Sequence, residues 1–225
     1  MKTHAIIPVK RFEYAKQRLG EAVPAGSRVA LAEAMFLDVL SHLNRSKRID
    51  ATLVVTSDDK VARTARWLGV EVLEQEDDAG HSEAASAGVK IALERGVDRV
   101  AMLPGDCPML DPVELDRHLG SAPRSALIVP DRHGTGTNGL LLSPPDAFEP
   151  AFGPDSCARH VSRARAAGVS FAVERIEGLG LDLDTPEDLM QLRDALILRP
   201  QRAPRTAQLI WELGPEQSPS TPAPA

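Results

Sequence analysis

Arg99-Val100-Ala101-Met102-Leu103, followed by Pro104-Gly105-Asp106-Cys107-Pro108-Met109-Leu110-Asp111, decides how the chain is read. The first five residues form an apolar run of the kind found in buried parallel strands. Pro104 and Gly105 then end the strand and turn the backbone. Asp106 therefore stands just past a strand's carboxyl end, where open α/β sheets hold their ligands. Gly105 beside it permits close approach of the chain to a ligand. Far downstream, Leu181-Asp182-Leu183-Asp184-Thr185-Pro186 supplies two carboxylates at i and i+2, which extended chain points to one face. Three convergent aspartates suit a hard cation with oxygen ligands, Mg²⁺ being the usual one beside phosphates. Singly, Asp106 is an ordinary turn aspartate, and Asp184 or Thr185 an ordinary cap for a helix opening at Pro186. The metal reading rests on the cluster.

Outward from that stretch, strands alternate with helices. Apolar runs predict strands over 3–9, 52–56, 70–73, 126–129, 140–142 and 169–173. Helical spacing predicts helices over 27–43 with Ser27 as N-cap, from the caps Ser57 and Asp58 to Leu68, and over 84–94, 112–119, 157–167 and 186–198. Such alternation implies an α/β fold, a mainly parallel sheet with helices on both faces. Residues 1–198 read as one domain. From Arg199 the composition shifts to six prolines in 27 residues, which predicts a mostly disordered tail with docking confined to Leu209–Leu213.

A chain of 225 residues, 43% hydrophobic and 26% charged, is long enough to bury a substantial core. Its net charge of -6 disfavours a general nucleic-acid surface. Cys107 and Cys157 lack CxxC spacing and read as reduced thiols of a cytoplasmic protein. The N-terminal apolar run, Ala5 to Val9, contains Pro8 and is too short for export or for spanning a membrane. No signal for an oligomeric state is present.

Lys10, Arg11, Lys16 and Arg18 follow the first predicted strand and so share the sheet rim with Asp106. A triphosphate carries more negative charge than one Mg²⁺ neutralises, and Lys10, Lys16 and Arg18 are suited to supply the remainder. Alone, such a cluster reads as a solvated loop. Between Asp131 and Gly139, three glycines and two threonines form either a flexible connection or a wrap of backbone N–H groups around an anion. Ser156 opens a predicted helix, where anions are favoured. The phosphate-loop pattern GxxxxGK[ST] and a GxGxxG after the first strand are both absent, which excludes ordinary ATPases and dinucleotide dehydrogenases.

Six segments in order carry a resemblance: Ile7-Pro8-Val9-Lys10, Ala15-Lys16-x-Arg18-Leu19, Pro104-Gly105-Asp106-x-Pro108, Gly134-Thr-Gly-Thr137, Phe152-Gly153-Pro154-x-Ser156 and Asp182-x-Asp184-Thr185-Pro186. Over about residues 3–197 the chain resembles the phosphoenolpyruvate/2-phospho-L-lactate guanylyltransferase family of coenzyme F420 biosynthesis. The resemblance implies a Rossmann-like nucleotidyltransferase (GT-A-like) fold that joins GTP to a small phosphorylated acid and releases pyrophosphate. It also implies Mg²⁺ on Asp106, Asp182 and Asp184, and the acceptor on Thr137, Gly153 and Ser156. GTP would contact Pro8, Val9, Lys10, Lys16, Gly80, Glu83 and Gly105, with Lys10, Lys16, Arg18 and Asp106 serving catalysis.

An acceptor phosphate, with a second pKa near ~6, is largely ionised at neutral pH and needs no general base to attack GTP. Alignment and charge neutralisation then suffice. Cys107 reads as structural, and His81, His133 and His160 as ordinary polar residues. The chain departs from the family's Gly-Leu-Asn-x-Ala segment with Gly80-His81-Ser82-Glu83-Ala84. There Glu83 either accepts from guanine or simply suits a helix's first turn. Phosphoenolpyruvate is the expected acceptor, with 2-phospho-L-lactate and 3-phosphoglycerate as alternatives. A sugar or molybdopterin nucleotidyltransferase and a non-catalytic nucleotide-binding regulator are the rival functions.

Overall fold

The computed structural model describes residues 1–78, 80–121 and 125–214, without the side chain of Glu21. Four parallel strands, β1 (Thr3–Val9), β2 (Ala51–Thr56), β3 (Glu71–Glu74) and β4 (Arg99–Met102), form half of the sheet in the order β3-β2-β1-β4. The sheet continues from β4 through β6 (Thr137–Leu142) and β5 (Ala126–Pro130) to β7 (Phe171–Val173). Only β6 runs against its neighbours. Met102 pairs with Leu140, so the amino end of β6 reaches the rim where β4 ends. A strand run in this direction is how Thr137 comes to share a rim with Asp106.

Residues along β1 alternate between two cores, as a pleated strand requires. Ala5 and Ile7 pack with Phe36 of α1 (Ala25–Arg45), Val61 of α2 (Asp59–Trp67) and Leu115 of α4 (Pro112–Gly120). Ile6 packs on the opposite face with Ala85 and Val89 of α3 (His81–Glu94) and with Cys157 of α5 (Ser156–Ala166). A Cβ at Gly88 would lie 2.5 Å from the Ile6 Cγ2 methyl, so α3 rests directly on β1. A third core joins Leu31 and Met35 of α1 to Leu192 and Leu196 of α6 (Pro186–Leu198).

The helix caps follow short-range chemistry. Asp58 accepts from Lys60 N (2.7 Å) at the start of α2, and Asp111 from Val113 N (2.9 Å) at the start of α4. Thr185 and Asp188 form a reciprocal capping box on α6. Thr185 thus caps the helix, which leaves the Asp184 side chain for the site. Ser27, in contrast, lies inside α1, which begins two residues earlier after Pro24 and has no side-chain cap.

The tail expected to be mostly disordered from Arg199 is helical for much of its described length. Pro200–Arg202 forms a 3-10 turn and Pro204–Glu212 forms α7. Ala203, Ala207 and Ile210 recur at helical spacing and are buried against the third core. The cap comes from Asp38 on α1, whose Oδ2 accepts from both N and Oγ1 of Thr206 at 2.9 Å. Proline content masked a short amphipathic helix whose cap lies in a distant part of the chain. Residues 215–225 lie outside the described residues. No helix among the described residues is long and apolar enough to cross a membrane.

Candidate active site

A cleft of about 450 Å³ opens at the carboxyl ends of β1 and β4. Pro8 and Val9 line it from β1, Lys10, Lys16 and Arg18 from the following segment, and Gly105 and Asp106 from the turn after β4. Asp184 completes the wall. The expected phosphate-facing residues therefore do converge. Gly105 serves packing: a Cβ there would meet Val9 Cγ2 at 3.3 Å and Phe36 Cδ2 at 3.4 Å.

Lys16 is the centre of the cleft. Its backbone is left-handed (φ 60°), just before a 3-10 segment at Gln17–Ala22, and its side chain is only 5% exposed. The ammonium donates to the Asp106 carboxylate and to Asp184 Oδ1 at 3.1 Å. Burial alone would lower its pKa, but Asp106 and Asp184 outweigh burial and raise it. Burial likewise pushes the Asp106 carboxyl upward, and Lys16, helped by His81, turns the net shift downward. His81 stands in the same cleft, where burial holds its pKa at about 4 against the pull of Asp106, so the ring is neutral near pH 7.

Asp182 behaves differently from its neighbour two residues on. Asn138 of β6 donates to Asp182 Oδ1 (3.0 Å) and to the Leu179 carbonyl (2.8 Å). Burial, then the nearby Asp106, raises the Asp182 carboxyl pKa. The expected three-aspartate cage is not formed: among the described residues no three His, Cys, Asp or Glu side chains are grouped to share an ion. Asp106 and Asp184 instead share the buried Lys16 ammonium, because a cation taken out of water needs carboxylate partners. Beyond burial, Asp106 and Asp184 both raise the Asp182 pKa, so the three carboxylates repel one another, a repulsion that a hard dication would relieve.

The expected acceptor residues lie at the neighbouring end of the rim. Thr137 begins β6 and is buried, with its Oγ1 2.9 Å from His160 Nδ1. Ser156 is the first residue of α5 and is 1% exposed. Gly153 turns with φ 106°, a conformation that disfavours any side chain. Arg159 holds the connecting loop by donating to the carbonyls of Ala151 (3.0 Å) and Phe152 (2.9 Å). Phe152 packs edge-on to both His81 (4.7 Å) and His160 (5.1 Å), linking the cleft to α5. The expected backbone anion cradle at 134–139 is already filled. Asp131 accepts from Thr135 N (3.0 Å) and Gly136 N (2.9 Å), while residues 137–139 belong to β6.

Two expectations at the start of α3 divide. Gly80 lines a second groove with Pro8–Lys10, Thr56, Ser57 and Asp78, adjoining the cleft. Glu83 is exposed and lines neither space, because Ala84, Ala85 and Gly88 take the buried side of α3. Sequence reasoning did not single out Asn138, Arg159 or Gly178, and named Phe152 only as part of the motif that opens α5. A Cβ at Gly178 would lie 2.6 Å from the Met109 carbonyl oxygen and 2.8 Å from Leu110 Cα. That glycine lets the Asp182–Asp184 segment approach the turn that carries Asp106. The Asn next to Thr137 was the one local signal available. Cys107 is fully buried beside the Leu179 carbonyl, and burial raises its thiol pKa well above normal, as suits a structural residue.

A mostly parallel sheet with a charged cleft past its first strand and no phosphate loop defines a nucleotidyltransferase of Rossmann-like fold. The same fold occurs in a protein assigned as a nucleotide-diphospho-sugar transferase from Desulfovibrio desulfuricans G20 (TM-score 0.78, 21% identity, 94% of this chain and 95% of that one). It also occurs in a nucleotidyl transferase from Methanothermobacter thermautotrophicus (TM-score 0.63, 20% identity, 88% and 98%). Residues 3–196 match the family described as "Guanylyl transferase CofC like", and the chain belongs to that family. It is 47% identical to phosphoenolpyruvate guanylyltransferase of Conexibacter woesei, over 95% of this chain and 97% of the relative. It is 35% identical to 2-phospho-L-lactate guanylyltransferase of Methanothermobacter thermautotrophicus, over 85% and 84%.

Proposed function

We propose that this guanylyltransferase joins GTP to phosphoenolpyruvate, releasing pyrophosphate, on the route to coenzyme F420. The observation that carries the reading is the pairing on one rim of a cleft lined by Lys10, Lys16 and Arg18 with the neutral, buried hydroxyl residues Thr137 and Ser156. The relatives named for phosphoenolpyruvate support that acceptor, and the one named for 2-phospho-L-lactate keeps that acid as the second reading.

In this reading Lys10, Lys16 and Arg18 take the GTP phosphates in the cleft, and Gly80, at a small depression adjoining it, lies on the nucleoside side. The acceptor's carboxylate is held at Thr137, Gly153 and Ser156. Its phosphate oxygen forms the new bond to the α-phosphorus as the bond to the β-phosphate oxygen breaks. The phosphate is already ionised at neutral pH. Accordingly the neutral His81 and His160 need not accept a proton. Lys16 neutralises charge that develops on the departing pyrophosphate. Asp106, Asp182 and Asp184, not grouped as a cage in this arrangement, are the carboxylates that would be drawn together to hold Mg²⁺, which when bound supplies charge neutralisation at the phosphates.

The test is incubation with GTP, Mg²⁺ and, separately, phosphoenolpyruvate, 2-phospho-L-lactate and 3-phosphoglycerate, followed by product mass and pyrophosphate release. The expected result is a guanylylated product with the highest kcat/KM for phosphoenolpyruvate. Turnover of sugar phosphates in preference to all three acids would overturn the reading.

A further inference from the structure

His160 is fully buried on α5, and each of its ring nitrogens has one partner of defined chemistry. Nε2 lies 2.8 Å from the backbone nitrogen of Ala151. An amide nitrogen can only donate, so Nε2 must be the unprotonated, accepting nitrogen. A neutral imidazole then carries its proton on Nδ1. Nδ1 is 2.9 Å from Thr137 Oγ1, and the Thr137 oxygen must therefore accept from it. The threonine's own hydroxyl proton cannot point back at an N–H and is directed elsewhere.

We infer that His160 is a positioning residue: its Nδ1–H tautomer turns the Thr137 hydroxyl into a committed donor toward the acceptor acid. The inference rests on the reading that Thr137 binds that acid. A carboxylate can only accept hydrogen bonds, so a donor held in advance recognises it without rotor freedom to lose. The surroundings hold the ring in this state. Burial, with Arg163 and Arg159 nearby, lowers the His160 pKa to about 4, so the imidazole is neutral near pH 7. Phe148 (6.2 Å) and Phe152 (5.1 Å, edge-on) pack against the ring and restrict its rotation. The Ala151 N–H selects the tautomer, and the ring passes that selection to Thr137. A backbone amide in the loop preceding α5 thus sets the polarity of a side chain on β6.

The first test needs no variant. Long-range ¹H–¹⁵N correlation spectra of the histidine-labelled protein at pH 7 should show His160 with a protonated Nδ1 and a bare Nε2. A protonated Nε2 would overturn the inference. The second test separates the two nitrogens. Asparagine places its amide near the Nδ1 position and can still donate to Thr137, whereas glutamine reaches the Nε2 position and cannot. His160→Gln should raise the acceptor KM about tenfold, the size of losing most of one hydrogen bond to a charged group, and leave the GTP KM unchanged. His160→Asn should recover part of that loss. Thr137→Val should match His160→Gln, and the double variant should lose no more than either single one. An unchanged acceptor KM in Thr137→Val would sink the acceptor-site reading itself. A raised KM there with an unchanged KM in folded His160→Gln would sink only the positioning role. Should His160→Gln fail to fold, the tautomer measured on the unaltered protein still decides.

Discussion

On the proposed function, the two ends of the rim hold anions by opposite means. At the cleft after β1 and β4, Lys16 is buried between Asp106 and Asp184, and for Lys16 and Asp106 the opposite charge overrides the effect of burial on the pKa. At the neighbouring end, Thr137, His160 and Ala151 form a neutral relay, beside which Arg159 and Arg163 donate to backbone carbonyls. A charged cluster is attractive to many anions and to cations besides. A neutral relay is selective for shape and for the direction of a hydrogen bond. On the proposed reading, the phosphate end is therefore built for strength and the acceptor end for discrimination.

The comparison breaks most visibly at Asp106. Asp106→Asn should lower kcat about a hundredfold or more, the scale of losing a principal charge contact in a preorganised site. Near-native turnover in that variant, shown folded by circular dichroism, would remove Asp106 from the chemistry. The same substitution has a stability consequence with a definite sign. The folded pKa of Asp106 is depressed, so its ion pair stabilises the fold above the ordinary carboxylate pKa and is lost as pH falls through the folded value. Thermal unfolding at pH 7 should thus show a lower Tm for Asp106→Asn, with the difference vanishing in acid.

Gly178→Ala is next in size. Its Cβ would press on the backbone of Met109 and Leu110, which has no flexible end to give way. A cost of about 1–3 kcal/mol is expected, together with roughly tenfold loss of kcat/KM for both substrates, because the two aspartate segments are pushed apart. Denaturant unfolding and initial rates check both parts. An unaltered Cm would mean that the loops separate freely. Asp182→Asn sharpens the contrast in the other direction. The folded pKa of Asp182 is raised, so ionising it weakens the fold as pH climbs from the ordinary carboxylate value through the folded one. Asparagine can still accept from Asn138 and carries no charge. Tm at pH 7 should rise in Asp182→Asn while it falls in Asp106→Asn, and a fall in both would show that Asp182 is the better-paired group.

What could be read in the sequence follows the same division. Charges announce themselves: Lys10, Lys16, Arg18, Asp106 and Asp184 were all legible from strand ends and spacing, and all line one cleft. The strands were legible too, because β1, β2 and β4 are apolar runs buried on both faces. The neutral relay was not. His160 and Ala151 become informative only when α5 packs against β6, and one imidazole in a sequence carries no direction. The glycine-rich run at 134–139 misled because Asp131, the residue that consumes its amides, looks like any loop aspartate. Helix α7 was hidden for a related reason: its cap is Asp38, on another helix. A cap supplied from another helix, or an aspartate that takes up its neighbours' amides, leaves no pattern of its own in the sequence.

The smallest expected effect concerns Glu83. On sequence grounds this carboxylate was suited either to guanine or to a helix's first turn. Helical geometry separates the two. Successive residues on α3 turn by about 100°, so when Ala84, Ala85 and Gly88 face the sheet and His81 faces the cleft, Glu83 is carried round to solvent. What remains is a first-turn acid near the positive end of a helix, worth a few tenths of a kcal/mol to about 1 kcal/mol. Glu83→Gln should accordingly leave the KM for GTP within about twofold and the preference for GTP over ATP unchanged, with at most a slight fall in Tm. Steady-state rates with the two nucleotides check this directly. A collapse of the GTP preference in Glu83→Gln would mean that the start of α3 rotates when nucleotide binds. Recognition of the base would then depend on a charged group, as recognition of the phosphates does.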